Sequence, residues 1–246
     1  MTTPAPARSF GAAADDYDRL RPGYPADAVR WALGGVDGQR VVDVGAGTGI
    51  LTRALLAAGH RVTAVEPDPA MLARLTATSA GAHALSGSAE ELPLPGGTAD
   101  AVVAGQAYHW FDHDRAHAEA ARVLRPGGVL APIWNVRDDT VDWVSALTAI
   151  ADGARGAARD APGPQSFGPL FGPVARAEFR HTTPHTPGTL VGLMRTRSYY
   201  LTATPAVRTR IEADIRDLLT GHPALAGRET FALPYRTLVF RARRTG

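Results

Sequence analysis

The stretch DVGAGTGILT, residues 43–52, joins an apolar run to an amphipathic one, and glycines stand at alternate positions: Gly45, Gly47 and Gly49. A strand that turns into a helix through glycines presents free N–H groups and partial positive charge to a ligand lying close against the backbone. The spacing is GxGxG, with Ile50 where the dinucleotide fingerprint GxGxxG needs its third glycine. No GxxxxGK[ST] occurs, so the phosphate loop of ATPases is excluded. Asp43, just before the loop, would repel a pyrophosphate but accept from an ammonium group. Glu66 ends the next apolar run, 17 residues after Gly49, unpaired in the position where an acid can accept both hydroxyls of a ribose. The charges call for a nucleoside with a cationic end.

Outward from this loop, short β-like runs alternate with helical stretches. The pattern predicts an α/β fold with a mostly parallel sheet covered on both faces. The predicted strands are RVVDV (40–44), RVTAVE (61–66), AHALS (82–86), ADAVVAG (99–105) and VLAPIW (129–134). Helices are expected over 50–58, from the N-cap Asp68 with Met71, Leu72 and Leu75 as its stripe, and over 113–124. Pro132 is out of place, because it removes a ladder donor inside the fifth strand. Beyond Trp134 the alternation weakens: a loose connection is expected over about 151–175, strands at 177–183 and 235–243, and a helical insert between them. Residues 1–37 are expected to form an N-terminal cap segment, beginning with a floppy start, and 38–246 a single domain with a lid insert at about 184–225.

Composition narrows the classes. A hydrophobic share of 45% with 20% charged residues fits a globular domain, and the absence of cysteine removes disulfides, thiolate zinc sites and a cysteine nucleophile. All 26 basic residues are arginine, which removes lysine chemistry, and at net +2 they are dispersed rather than gathered in a nucleic-acid-binding stripe. The start MTTPAPARS lacks a signal-peptide apolar segment, so a cytoplasmic protein without membrane or nucleic-acid partners is expected, as monomer or homodimer.

Four stretches, VVDVGAGTG, AVEPDPAML, GSAEELPLPGGTADAVVAGQAYHWFD and ARVLRPGGVL, resemble successive motifs of the class I S-adenosylmethionine-dependent methyltransferases, covering about 38–134. The opening FGAAADDYDRLRPGYP resembles the N-terminal segment of the type 11-like group that includes trans-aconitate and quinone-biosynthesis methyltransferases. The resemblance implies a Rossmann-like seven-stranded sheet with its last strand antiparallel, and S-adenosyl-L-methionine as cofactor. It implies that Gly45, Ala46, Gly47 and Gly49 pass beneath the methionine and ribose portions, with Asp43 near the amino group through water. Glu66 would hold the ribose, while Pro67, Asp68 and Met71 flank the adenine and Ser88, Ala89 and Glu90 read its amine. Ser88 stands where the family commonly has aspartate. Gln106 would lie where the methyl-donor end meets the acceptor. Tyr17 and Arg21 either close over the methionine end, with Arg21 toward its carboxylate, or staple the N-terminal segment to the domain.

The reaction expected is in-line displacement at a sulfonium methyl by a small-molecule acceptor through oxygen, nitrogen or carbon. Its catalysis is mostly positioning. His109, in QAYHWFD at the end of the fourth strand, is either a general base or pocket wall, and Tyr108, Trp110 and Phe111 supply aromatic surface. Trp134, Asn135 and Arg137, and Arg197, Tyr199 and Tyr200, resemble acceptor-side elements; the latter three would bind a carboxylate or aromatic acceptor, or form a solvated face with two core tyrosines. In HDRAH, His113 and His117 have zinc-ligand spacing, but no third ligand is indicated, and an exposed polar helix face is expected instead. Two other functions are compatible with such a sheet: a non-catalytic S-adenosylmethionine-binding module, and an NAD-dependent oxidoreductase, which the glycine spacing disfavours.

Overall fold

The computed structural model describes residues 14–155 and 163–246. The floppy start and residues 156–162 of the loose connection lie outside them. Helices α1 (Ala14–Leu20) and α2 (Ala26–Ala32) precede an alternation of β1 (Arg40–Val44), α3 (Ile50–Ala57), β2 (Arg61–Glu66), α4 (Pro69–Thr78), β3 (His83–Ser86), β4 (Ala99–Gly105), α5 (His113–Val123) and β5 (Leu124–Arg137). Then come α6 (Asp142–Arg155), β6 (Ala175–His185), α7 (Pro187–Arg195), α8 (Ser198–Leu201), α9 (Pro205–Gly221) and β7 (Phe231–Arg243).

The seven strands form one sheet in the order β3-β2-β1-β4-β5-β7-β6. β1 to β5 pair in parallel, while β7 runs antiparallel between β5 and β6. The strand order reverses between β1 and β4, so the crevice above their carboxyl ends is where such a sheet takes a ligand.

Strand alternation distributes the core. Val42, Val44, Val102 and Leu130 face α5, packing on Ala116 and Ala120, while Val41, Val103, Ala131 and Ile133 face α2 and α3, packing on Val29, Leu51 and Leu55. Asp43 shares the face of Val41 and is therefore buried beneath α3. α4 starts as its sequence requires: Asp68 Oδ1 accepts from the N–H groups of Ala70 and Met71 at 2.9 and 3.0 Å, with Pro69 in the first turn.

Pro132 does sit inside β5, buried, opposite Ala104 of β4. The pairing with β7 holds at Val129 and Leu130 and resumes at Ile133, so the missing donor falls in a local break of that ladder. β5 begins five residues earlier than expected, taking in Arg125, Pro126, Gly127 and Gly128.

Beyond β5 the expectation of a loose connection is corrected at its start, since 151–155 form the last turns of α6. Trp143, Val144, Leu147 and Ala151 carry a helical stripe that packs against Leu190, Met194, Ile211 and Ile215 of the insert and against Leu233 and Tyr235 of β7. The insert is three helices, α7 to α9, rather than one stretch. Leu20 of α1 joins this cluster. Among the described residues no helix is long and apolar enough to cross a membrane.

Candidate active site

The loop after β1 turns back so that the N–H groups of Gly45 and Ala46 both donate to the Val65 carbonyl, at 2.9 and 3.1 Å. Gly45 has φ of 64°, and a Cβ there would lie 2.7 Å from that of Ala107, so only glycine fits between this loop and the end of β4. Gly47, at φ of 58°, has open space where a Cβ would point, which leaves the loop's outer face clear. Gly49 serves the fold instead: it is the left-handed N-cap of α3, and a side chain would run into Leu75 and Ser79 of α4.

Two carboxylates frame the loop. Glu66 accepts from Gly47 N–H on Oε2 and Asp68 N–H on Oε1, both at 2.8 Å, so it is not unpaired; each oxygen still has a lone pair to offer a diol. Burial raises its affinity for a proton, and the two backbone bonds oppose that. Asp43 is fully buried, with Oδ2 accepting from Thr52 Oγ1 at 2.6 Å and Oδ1 hydrogen-bonded to nothing. Burial pushes its carboxyl up to about 7, opposed by the Thr52 bond and helped by Glu66.

Asp43 lines a cavity above β1 and β4. Its lining brings together Tyr17, Arg21, Gly45, Ala46, Gly47 and Gln106 of the expected set. Arg21 is fixed from the insert: its Nε and Nη2 donate to Thr196 Oγ1 and the Thr196 carbonyl at 3.1 and 2.9 Å. Its guanidinium also stacks 4.4 Å over the Tyr17 ring. Burial, then the neighbouring Arg197, lower it to about 10. Asp18, on the same helix, pairs with Arg53 at 2.5 Å and Arg74 at 3.6 Å. α1 therefore straps across the cavity, tied to the insert at one end and to α3 and α4 at the other. Of the two readings of Tyr17 and Arg21, the contacts present are those that staple the N-terminal segment to the domain.

Gln106 holds φ of 57°, a conformation uncommon for a side-chain residue, and its Nε2 donates to the Asn135 carbonyl at 2.7 Å. Asn135, also lining the cavity, donates from Nδ2 to the Gly23 carbonyl at 2.9 Å and accepts from Thr237 Oγ1 at 2.6 Å. Tyr24 and Thr48 are lining residues that sequence reasoning missed. Tyr24 packs so closely on Gly105 that a Cβ there would lie 2.6 Å from its hydroxyl. Burial pushes that hydroxyl well up, with Tyr17 and Asp43 adding to the effect, so it is a donor. Thr48 Oγ1 is buried and hydrogen-bonds nothing. Tyr24 lies within the stretch FGAAADDYDRLRPGYP that carries the family resemblance; nothing local marks Thr48.

Other expected residues lie elsewhere. Pro67, Met71, Ser88, Ala89 and Glu90 cluster past the ends of β2 and β3, outside the cavity lining. There Met71 and Ala89 are buried, Ser88 bridges to Glu91, and Glu90 accepts from Asp112 N–H at 2.9 Å. Tyr108 and Trp134 turn to the opposite face of the sheet, edge-on to each other at 5.7 Å. Tyr108 is buried and bonds His117 Nε2 at 2.7 Å. The exposed polar face expected for α5 holds at His113, which is exposed though stacked on Tyr108 at 4.4 Å, and is corrected at His117, which is half-buried. Among the described residues no cluster of His, Asp and Glu could hold a metal ion. His109 is exposed, its ring 4.8 Å from that of Trp110, and it does not line the cavity. Tyr199 is buried in the insert core, and Tyr200 donates to Glu212 at 2.5 Å. Arg137 donates to Thr148 Oγ1 at 3.2 Å.

The orphaned Asp43 and Thr48 oxygens, the clear loop face and the diol-ready Glu66 suit the amino-acid and ribose parts of S-adenosylmethionine. Comparison with known proteins agrees. Residues 42–131 match the family model for a methyltransferase domain. The uncharacterized methyltransferase Rv3342 of Mycobacterium tuberculosis is 44% identical over 237 residues, 95% of each chain. An uncharacterized methyltransferase-like protein of Schizosaccharomyces pombe is 29% identical, covering 95% of this chain and 94% of its own. A protein assigned as a type II methyltransferase from Anaeromyxobacter dehalogenans superposes with a TM-score of 0.67 at 26% identity, over 91% of this chain and 97% of its own. The chain belongs to the class I S-adenosylmethionine-dependent methyltransferases.

Proposed function

We infer that the protein binds S-adenosylmethionine with its amino-acid end at Asp43 and its ribose at Glu66, and methylates a small-molecule acceptor in the cavity above β1 and β4. The observation that carries this is the buried Asp43 oxygen on the cavity wall, which has no hydrogen-bond partner among the described residues. A buried acceptor left unmade is costly, and a ligand ammonium satisfies it.

When bound, the cofactor supplies an electrophilic methyl on a cationic sulfur whose departure as a neutral thioether needs little acid help. The chain's part is then to orient. Tyr17 and Arg21 cover one side, Gln106 and Asn135 hold the end of β4 against β5, and Tyr24 presents a protonated hydroxyl. Alignment of this kind is worth up to about 7–11 kcal/mol. Asp43 is the one carboxyl group in the lining, and its partner Thr52 and depth suit it to anchoring rather than proton abstraction.

Calorimetric titration tests this reading with S-adenosylmethionine against NAD. Binding of the sulfonium nucleoside is expected, followed by transfer of labelled methyl to compounds of a metabolite panel; binding of NAD alone overturns it.

A further inference from the structure

Arginines around the insert generally have carboxylate partners: Arg195 and Arg216 pair with Glu212, and Arg180 and Arg236 with Asp138. Among the described residues, Arg21 and Arg197 have none, and neither does Arg208, which donates to the Tyr200 and Leu201 carbonyls. Arg21 faces the cavity and spends only Nε and Nη2 on Thr196. Arg197 follows Thr196 in the chain, its Nε buried and hydrogen-bonded to nothing, and its charge bears directly on Arg21. Tyr235 also acts on Arg21; it is 0% exposed, and its hydroxyl likewise lacks a partner. Buried donors are nearly always satisfied, so two orphans beside the same unneutralised guanidinium point to a missing acceptor.

The donor's own carboxylate accounts for only part of this. It belongs near the glycine loop after β1, whereas Tyr235 lies on β7, three strands along the sheet and so about 14 Å away at ordinary strand spacing. Two positive charges against one donor carboxylate also leave one charge unmatched. A second, singly charged anion closes the balance of this guanidinium pair.

We propose that Arg21, Arg197 and Tyr235 form a wall that binds a carboxylate of the methyl acceptor, as its anchor and not as the atom methylated. Charge-assisted hydrogen bonds draw electron density from a carboxylate oxygen, which makes it a poorer nucleophile while holding the rest of the molecule in place. The methyl therefore goes to another atom of the same acid.

This rests on the methyl-transfer reading, yet the two fail separately. Sodium benzoate, benzamide and phenylphosphonate are titrated at matched ionic strength into the protein with and without S-adenosylhomocysteine. Benzoate is expected to bind at least about tenfold more tightly than benzamide or phenylphosphonate, and Arg197→Gln to weaken it about tenfold, as loss of a charged hydrogen bond implies, with S-adenosylhomocysteine affinity unchanged. Tyr235→Phe should weaken benzoate while raising the Tm of the free protein, because it removes an unsatisfied buried hydroxyl; a merely structural tyrosine would not give these opposite signs. Benzoate binding no better than its neutral amide, or unaffected by Arg197→Gln, overturns the anchor. So does phenylphosphonate binding as well as benzoate. Labelled donor must leave benzoate unmethylated: base-labile methyl benzoate would make the carboxylate the nucleophile. Failure to bind S-adenosylhomocysteine, with benzoate still bound, would sink the methyltransferase reading alone.

Discussion

Arg21, just after α1, donates to both the hydroxyl and the carbonyl of Thr196, 175 residues later, and this pair joins the N-terminal strap to the insert across the cavity. Thr196 Oγ1 in turn donates to the Leu193 carbonyl at 2.7 Å. Thr196→Val removes both side-chain bonds and is expected to cost about 1–3 kcal/mol, with one buried donor left short. Denaturant midpoints measure the loss, and hydrogen exchange over 14–24 should quicken. An unaltered exchange pattern would show that the Thr196 carbonyl and Asp18 hold the strap without the hydroxyl.

Asp43 makes donor affinity depend on pH. Its carboxyl is raised from 3.8 to about 7, so the folded state binds a proton more readily than the unfolded state does. That contribution to stability is full below about pH 4 and is lost as pH climbs through about 7; Glu66 is raised too and adds in the same direction. Binding of the cationic amino-acid end favours ionised Asp43, so affinity for S-adenosylmethionine should rise between pH 5.5 and 8. Asp43→Asn should flatten that profile in calorimetry, and a slope surviving in the variant would assign it to another group.

Glu66→Ala takes the acceptors from Gly47 and Asp68 N–H and from the ribose together. Donor affinity should fall by about 1–3 kcal/mol. The ribose share is separable, because the wild type should discriminate against a 2′-deoxy donor analogue and the variant should not. Equal discrimination by both would leave Glu66 a loop brace only.

Gly105 is held small by Tyr24. A Cβ would meet the Tyr24 hydroxyl at 2.6 Å and Leu51 at 3.1 Å, so Gly105→Ala should destabilise by about 1–3 kcal/mol and displace Tyr24 from the cavity. Combining it with Tyr24→Phe removes the atom struck, and the double variant should recover part of the loss in a double-mutant cycle. Strict additivity would mean that Leu51 carries the clash.

The positions of Gln106 and His109 predict unequal effects on turnover. Gln106 lines the cavity and bonds the Asn135 carbonyl, whereas His109 is exposed outside it. Gln106→Ala should therefore lower kcat more than His109→Ala does. If His109→Ala gives the larger fall with donor affinity unchanged, the histidine reaches the acceptor as a base.

The half of the chain from β1 to β5 was legible because its determinants are local. Strand periodicity, the Asp68 cap, the glycine spacing of 45–49 and the acids at 43 and 66 each express a backbone or charge requirement within a few residues. The antiparallel last strand followed from the family resemblance rather than from any local signal. What only the tertiary structure decided was which face each side chain joined. Tyr108 and Trp134 read as site residues, yet β-strand alternation and the turn after β4 carry them to the face opposite Asp43. Tyr24 and Thr196 read as ordinary loop residues, yet Tyr24 lines the cavity by packing on Gly105, 81 residues away, and Thr196 holds Arg21 at the cavity wall from 175 residues away. Charge compensation is likewise a property of the folded chain: Arg195 and Arg197 are indistinguishable in sequence, and only packing gives one a glutamate and leaves the other without.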